Sequence, residues 1–151
     1  MADTIREQIL QAVVTRLKTI TVANGFNLDI GDKVFRARPT GDDSVLPWAV
    51  LWDSSEAATR QYGLRVVTMD IVVEILSKYT LVTGASQVGN QALGDILKAM
   101  PESDAWGGLA RDTKYQAGQT AFPSDGDTTA GVKVSFSIEY TTGLNNPYAI
   151  S

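Results

Sequence analysis

One segment of the sequence has the glycine spacing of a phosphate-binding loop. Gly84 and Gly89 are separated by four residues, between a predicted strand and a predicted helix. In such a loop, a lysine that reaches the phosphates follows the second glycine, and a hydroxyl residue that holds magnesium comes next. Here these positions are Asn90 and Gln91. Because both chemical groups are missing, we interpret the segment as the start of a helix and predict no nucleotide cofactor.

Acidic residues offer two further candidates for chemistry. Asp125-Gly126-Asp127 has the oxygen ligands that calcium prefers. The other ligands and the distal glutamate of an EF-hand loop are absent, which favours a hairpin turn. Asp70 and Glu74 share one face of a predicted strand. We interpret them as a solvated or inter-subunit face rather than as an acid–base pair.

The sequence has no histidine and no cysteine. The commonest general base and metal ligand is therefore missing, and so is every thiolate and disulfide. We predict that the chain is not an enzyme and binds neither a metal ion nor an organic cofactor. An enzyme that uses carboxylates alone is the remaining catalytic hypothesis.

Length and composition are those of one globular domain. The chain has 151 residues, 44% of them hydrophobic and 20% charged, and we predict a single domain over residues 1–151. Its 13 basic and 17 acidic residues give a net charge of −4 without a dense basic cluster, which argues against sequence-specific nucleic-acid binding. No apolar run approaches the ~18 residues of a membrane span. The N-terminus lacks the pattern of a signal peptide, so we expect folding in the cytoplasm and no membrane partner.

Two helices are predicted from apolar residues at helical spacing. Thr4 and Glu7 have the spacing of a capping box, and the first helix is predicted to end at Asn24-Gly25, where glycine can form a C-terminal cap. The second helix is predicted from about Ser86 to Met100. The apolar stripe of the first helix consists of Ile5, Ile9, Val13, Leu17 and Ile20.

Strands are predicted on both sides of the second helix, at residues 33–38, 47–52, 65–76, 109–122 and 132–140. Residues 53–59 are predicted to be a linker, and residues 123–131 a hairpin loop. The segment from about Gly143 is predicted to be a flexible tail. The order α-β-β-β-α-β-β predicts an α+β fold, with a mostly antiparallel sheet packed by two helices.

Aromatic and basic residues are the candidates for a subunit or partner interface. Trp48 and Trp52 lie on the same side of a strand that is apolar on both faces, and either core packing or a subunit interface accounts for them. The segment after this strand, which contains Arg60 and Tyr62, is assigned to the same surface. A small basic patch on the preceding strand could pair with an acidic neighbouring subunit, and its candidates are Arg36 and Arg38.

Several short segments occur in an order shared with a known family: LKTI at 17–20, NGFNLDIG at 24–31, VFRAR at 34–38, LP at 46–47, IEYTT at 138–142 and NNPY at 145–148. From about Asp3 to Tyr148, the sequence resembles the tail terminator proteins of tailed bacteriophages. These are lambda-type minor tail proteins that close the tail tube. Tyr148, in the last of these segments, joins the interface candidates.

The resemblance implies a ring of subunits, six in the expected form, at the head-proximal end of the tail in the virion. Its implied partners are further copies of the chain, the tail tube protein and the head-completion or neck protein. Genomic DNA would pass through the lumen without specific binding. Assembly would take place in the host cytoplasm, with no catalytic residue and no cofactor.

Two other functions are retained as alternatives. Head–tail connector or neck proteins have the same size and fold class. A small-ligand-binding module would instead use a pocket between the sheet and the second helix. Oligomeric state discriminates between the classes, because a ring is expected only of an assembly protein.

Overall fold

A computed structural model describes residues 2–37, 46–79, 84–121 and 129–151. The interface candidate Arg38 and the segment Asp125-Gly126-Asp127 lie outside the described residues. The helices are α1 (Ile5–Leu17) and α2 (Ala85–Ala99). The strands are β1 (Val34–Arg36), β2 (Trp48–Gln61), β3 (Leu64–Lys78), β4 (Asp112–Ala121), β5 (Thr129–Gly143) and β6 (Asn146–Ile150).

The strands form one six-stranded sheet in the order β1-β2-β3-β5-β4, with β6 also paired to β5. All pairs are antiparallel except β1 with β2, which is parallel. The predicted α+β class, with its mostly antiparallel sheet and two helices, is confirmed. The structure adds a sixth strand at the C-terminal end.

The core lies between one face of this sheet and the two helices. Alternate residues of β3 from Val67 to Ile75 are buried, as are alternate residues of β5 from Val132 to Tyr140. Successive side chains of a strand point to opposite faces, so these two sets lie on the same side of the sheet. Both helices contribute buried residues to this cluster: Ile5, Ile9, Leu10, Val13 and Leu17 from α1, and Ala92, Ile96 and Ala99 from α2.

The first helix begins as its sequence predicts but ends earlier. The Thr4 side chain accepts a hydrogen bond of 3.1 Å from the Glu7 N–H and caps the first turn. The helix ends at Leu17, and the hydroxyl of Thr19 then bonds the Arg16 carbonyl, which competes with continued helix formation. Gly25, with φ of 90°, ends a separate short 3-10 turn.

The predicted linker at residues 53–59 is wrong, because these residues continue strand β2 to Gln61. A two-residue turn joins β2 to β3, and its residues Tyr62 and Gly63 both have positive φ, 49° and 76°. Such turns match the natural twist of a hairpin. Residues 53–61 are exposed on both faces, so they carry no apolar alternation that could have revealed a strand.

The predicted flexible tail is also replaced by regular structure. Residues Asn146–Ile150 form β6, which pairs with the end of β5. The Thr141 carbonyl accepts the Ser151 N–H, and the Thr141 hydroxyl donates to the Ser151 carbonyl. This segment is mostly exposed, so backbone pairing rather than burial defines the strand.

Candidate subunit-interface surfaces

Arg36, a candidate from the basic patch, is engaged within the chain. Its guanidinium donates two hydrogen bonds to the Glu7 carboxylate, at 2.6 and 3.0 Å. This bidentate pair joins β1 to the first turn of α1, and each side chain is about one-third exposed. The hydrogen bond from Arg36 lowers the pKa of Glu7, against a smaller opposing effect of burial. Arg36 therefore links β1 to α1 within the chain.

This pair predicts a pH-dependent contribution to stability. The folded-state pKa of Glu7 is lowered, so the contribution is present at neutral pH and is lost as the pH falls through that pKa. We expect Glu7→Gln to lower the free energy of unfolding by about 1 kcal/mol or less at pH 7, since the pair is partly exposed to solvent. Urea unfolding of both proteins should show the difference shrinking below about pH 4. A difference that stays constant with pH would contradict this assignment.

Trp48 and Trp52 lie on the face of the sheet that points away from the helices. Their register partners on β3 are Leu76 and Val72. Trp48 is buried within the chain, whereas Trp52 is half-buried. Among the described residues, the Trp48 indole N–H has no hydrogen-bond partner. Of the two tryptophans, Trp52 has the larger surface to offer a neighbouring subunit.

Arg60 and Tyr62 lie at the tip of the β2–β3 hairpin. Tyr62 is fully exposed, although it holds a backbone conformation that bulky residues rarely adopt. The fold of the chain itself does not bury this large aromatic side chain. Exposed aromatic residues of this kind are enriched at protein interfaces.

Strand β6 brings Tyr148 to the same end of the sheet. Leu64, next to the hairpin turn, is opposite Gly143 of β5, and Gly143 is opposite Asn146 of β6. Tyr148 and Ile150 are each about half exposed, at 53% and 49%. An open groove runs between the hairpin tip and the C-terminus, lined by Tyr62, Leu64, Val66, Thr141 and Ile150 among others.

We name this end of the sheet the tip surface and define it by Arg60, Tyr62, Leu64, Tyr148 and Ile150. The structure thus brings together three of the seven interface candidates and separates them from the two tryptophans and from Arg36. Sequence reasoning missed Leu64 and Ile150. Ile150 belonged to a segment predicted to be flexible, so the only available signal was its apolar side chain.

A polar cluster anchors the base of the hairpin to α1 and β5. The Tyr140 hydroxyl donates to the Glu56 carboxylate at 3.0 Å, and Arg6 pairs with Asp53 at 3.0 Å and with Glu56 at 3.5 Å. Burial, followed by the contact with Glu56, raises the pKa of Tyr140 to about 12. The phenol therefore stays neutral and serves as a hydrogen-bond donor in this anchor.

Among the described residues, no three or more acidic side chains form a group that could hold a metal ion. A groove at the start of α2 is lined by neutral residues, none of which belongs to the sheet: Asn27, Gly84, Ser86, Gln87, Asn90 and Gln91. Within the described ranges, no helix is long and apolar enough to cross a membrane.

Comparison with known proteins identifies a shared fold. No protein-family model matches the sequence, and no curated protein matches it. A chain in the solved structure of the virion of a native gene transfer agent (GTA) particle has a similar fold, with a TM-score of 0.62 and 13% sequence identity. The similarity covers 87% of this chain and 93% of that chain.

Proposed function

We propose that this chain is a virion assembly protein that forms a ring, in the expected form a hexamer, on the head-proximal end of a phage tail tube. There it stops tube polymerisation and presents a surface to the head-completion or neck protein. The observation that supports the proposal is the fold that this chain shares, over most of both lengths, with a chain of a virion particle. The sequence resemblance to tail terminators supports the specific position in the virion.

The physical requirement for such a cap follows from how tubes grow. Identical subunits that associate head to tail form an interface that does not close by itself, so polymerisation continues until something different occupies the end. A cap needs one surface that matches the tube and another that does not. In this proposal the tip surface serves as one of these two surfaces.

A cap acts through complementary surfaces rather than through chemistry. A standard protein interface buries about 800 Å² on each partner, and aromatic residues supply much of its energy. Six copies at −4 each would carry a net charge of −24, which suits a lumen through which DNA passes without binding. In this proposal the chain is not an enzyme and requires no cofactor.

The proposal is tested by imaging the purified protein alone and mixed with tails that lack it. We expect closed rings in negative-stain images, or a ring of density at one end of each tail. Light scattering gives the mass of the particle and hence the number of subunits. A protein that stays monomeric alone and adds nothing to tail ends would rule out the proposed function.

A further inference from the structure

Within the part of the chain that the structure describes, most of strand β2 has an open edge. Strand β1 pairs with β2 only at Ala49, Val50 and Leu51. From Asp53 to Gln61, no strand of the described structure pairs with the outer side of β2, and every residue there is exposed. An open edge presents unpaired backbone N–H and C=O groups, which another chain can pair with.

The register of the β2–β3 hairpin determines which backbone groups of β2 point away from β3. Gln61 and Leu64 flank a two-residue turn and so exchange hydrogen bonds with each other. Along an antiparallel strand, the backbone N–H and C=O groups of successive residues point alternately to one side of the strand and to the other. The backbone groups of Glu56, Ala58 and Arg60 therefore point away from β3, toward the open edge.

The other outer strand, β4, is open over only half its length as far as the described residues show. The Thr113 carbonyl accepts the Ser103 N–H at 2.8 Å, and the Tyr115 N–H donates to the Glu102 carboxylate at 3.0 Å. These contacts cover the first half of its edge. The same alternation can be followed from β3 through β5 to β4 by their registers. In the second half of β4, it places the backbone groups of Gly118 and Thr120 on the outward side.

We propose that the open edge of β2 in one copy pairs with the second half of β4 in the next copy, which extends the sheet from subunit to subunit. The pairing is antiparallel, with Ala58 opposite Thr120 and Arg60 opposite Gly118. This inference rests on the proposed ring, because it explains how neighbouring copies associate.

Strand directions support β4 as the partner. Between β2 and β4 the sheet has three antiparallel steps, so these two outer strands run in opposite directions. Copies in the same orientation, shifted along the strands by the eight residues that separate the levels of Ala58 and Thr120, therefore bring β2 and β4 together antiparallel. The contact is head to tail and continues from copy to copy until a ring closes, whereas β2 paired with β2 would end at a dimer.

The composition of both segments permits this pairing. Proteins commonly protect open edges with lysine, proline or a β-bulge. Residues 55–61 and 117–121 contain neither lysine nor proline. The irregularities of β2 and β4 lie just outside these segments, between Asp53 and Ser55 and between Tyr115 and Ala117.

A proline substitution tests the proposal. Ala58→Pro removes one outward N–H from an edge strand, a position where proline is tolerated, and Ala58→Ser keeps that N–H. We expect Ala58→Pro to be monomeric under conditions where the wild type and Ala58→Ser form rings. The melting temperature of each variant shows whether it is folded. Rings of folded Ala58→Pro would overturn the proposed pairing and leave the proposed function standing.

Disulfide cross-linking gives a second test that does not depend on proline. The chain has no cysteine, so introduced thiols are unique. Ala58 is opposite Val67, and Thr120 is opposite Val132, so both side chains point to the face of the sheet that the helices cover. Ala57 points to the other face. Oxidised Ala58→Cys/Thr120→Cys should give a ladder of covalent oligomers on a denaturing gel. Ala57→Cys/Thr120→Cys should give none. Covalent dimers of Ala58→Cys alone would show β2–β2 pairing and overturn the proposal.

Discussion

Replacement of Asp95 by alanine is expected to lower the free energy of unfolding by about 3 kcal/mol. Asp95 lies on α2 and is 2% exposed. Its carboxylate accepts three hydrogen bonds from the segment that follows the first helix: the Asn27 N–H at 3.0 Å, the Asn27 side-chain amide at 3.1 Å and the Leu28 N–H at 2.9 Å. Alanine would leave all three donors without this acceptor.

Urea unfolding of the purified variant measures the loss. Asp95→Asn is the matched control, because it keeps the size of the side chain and one acceptor oxygen. Its loss should therefore be smaller than that of Asp95→Ala. A loss below about 1 kcal/mol for alanine would mean that solvent or other groups replace the carboxylate, and that Asp95 does not anchor the segment to α2.

Replacement of Tyr62 by asparagine is expected to weaken assembly without weakening the fold. Asparagine tolerates positive φ better than tyrosine, and Asn-Gly is a preferred pair in two-residue hairpin turns. The melting temperature should thus stay the same or rise. Loss of a central aromatic residue costs an interface about 2 kcal/mol or more, which is about 30-fold in association for each subunit contact.

The association of Tyr62→Asn with other copies or with isolated tails is measured by sedimentation, beside the control Val22→Asn. Val22 is also an exposed apolar residue, at 55%. It follows the C-terminal end of α1, whereas Arg6 at the other end contacts the hairpin. Val22→Asn should assemble as the wild type does. Equal assembly of both variants would exclude the tip surface as an interface.

The elements with an apolar alternation could be predicted from the sequence. Strands β3 and β5 and helix α1 each bury one face, and the apolar residues of that face recur at regular spacing in the sequence. The outer half of β2 and most of β6 are exposed, and their backbone pairing leaves no such pattern in the sequence. Their strand structure could be recognised only from the backbone pairing in the three-dimensional structure. The same is true of the open edge and the tip surface, which depend on these strands.

Close contacts between distant residues were equally hidden. Gly31 donates its N–H to the Ile20 carbonyl at 2.7 Å, and a side chain at this position would collide with the backbone at Lys18. Asp95 lies three residues after Ala92 and four before Ala99, on the face that α2 buries, but this spacing does not indicate which groups its carboxylate binds. Tyr62 and Tyr148 are 86 positions apart in the sequence, and the register of β3, β5 and β6 brings them to one end of the sheet.

The length of tails made without this protein tests the central claim most directly. In a mutant of the encoding phage that lacks the chain, we predict unattached heads together with tubes that exceed the normal length. Adding the purified protein to the lysate should restore tails of normal length joined to heads. Tails of normal length attached to heads in the mutant would contradict the account. Heads that lose DNA while tail length stays normal would contradict it too, and would instead assign the chain to the connector between head and tail.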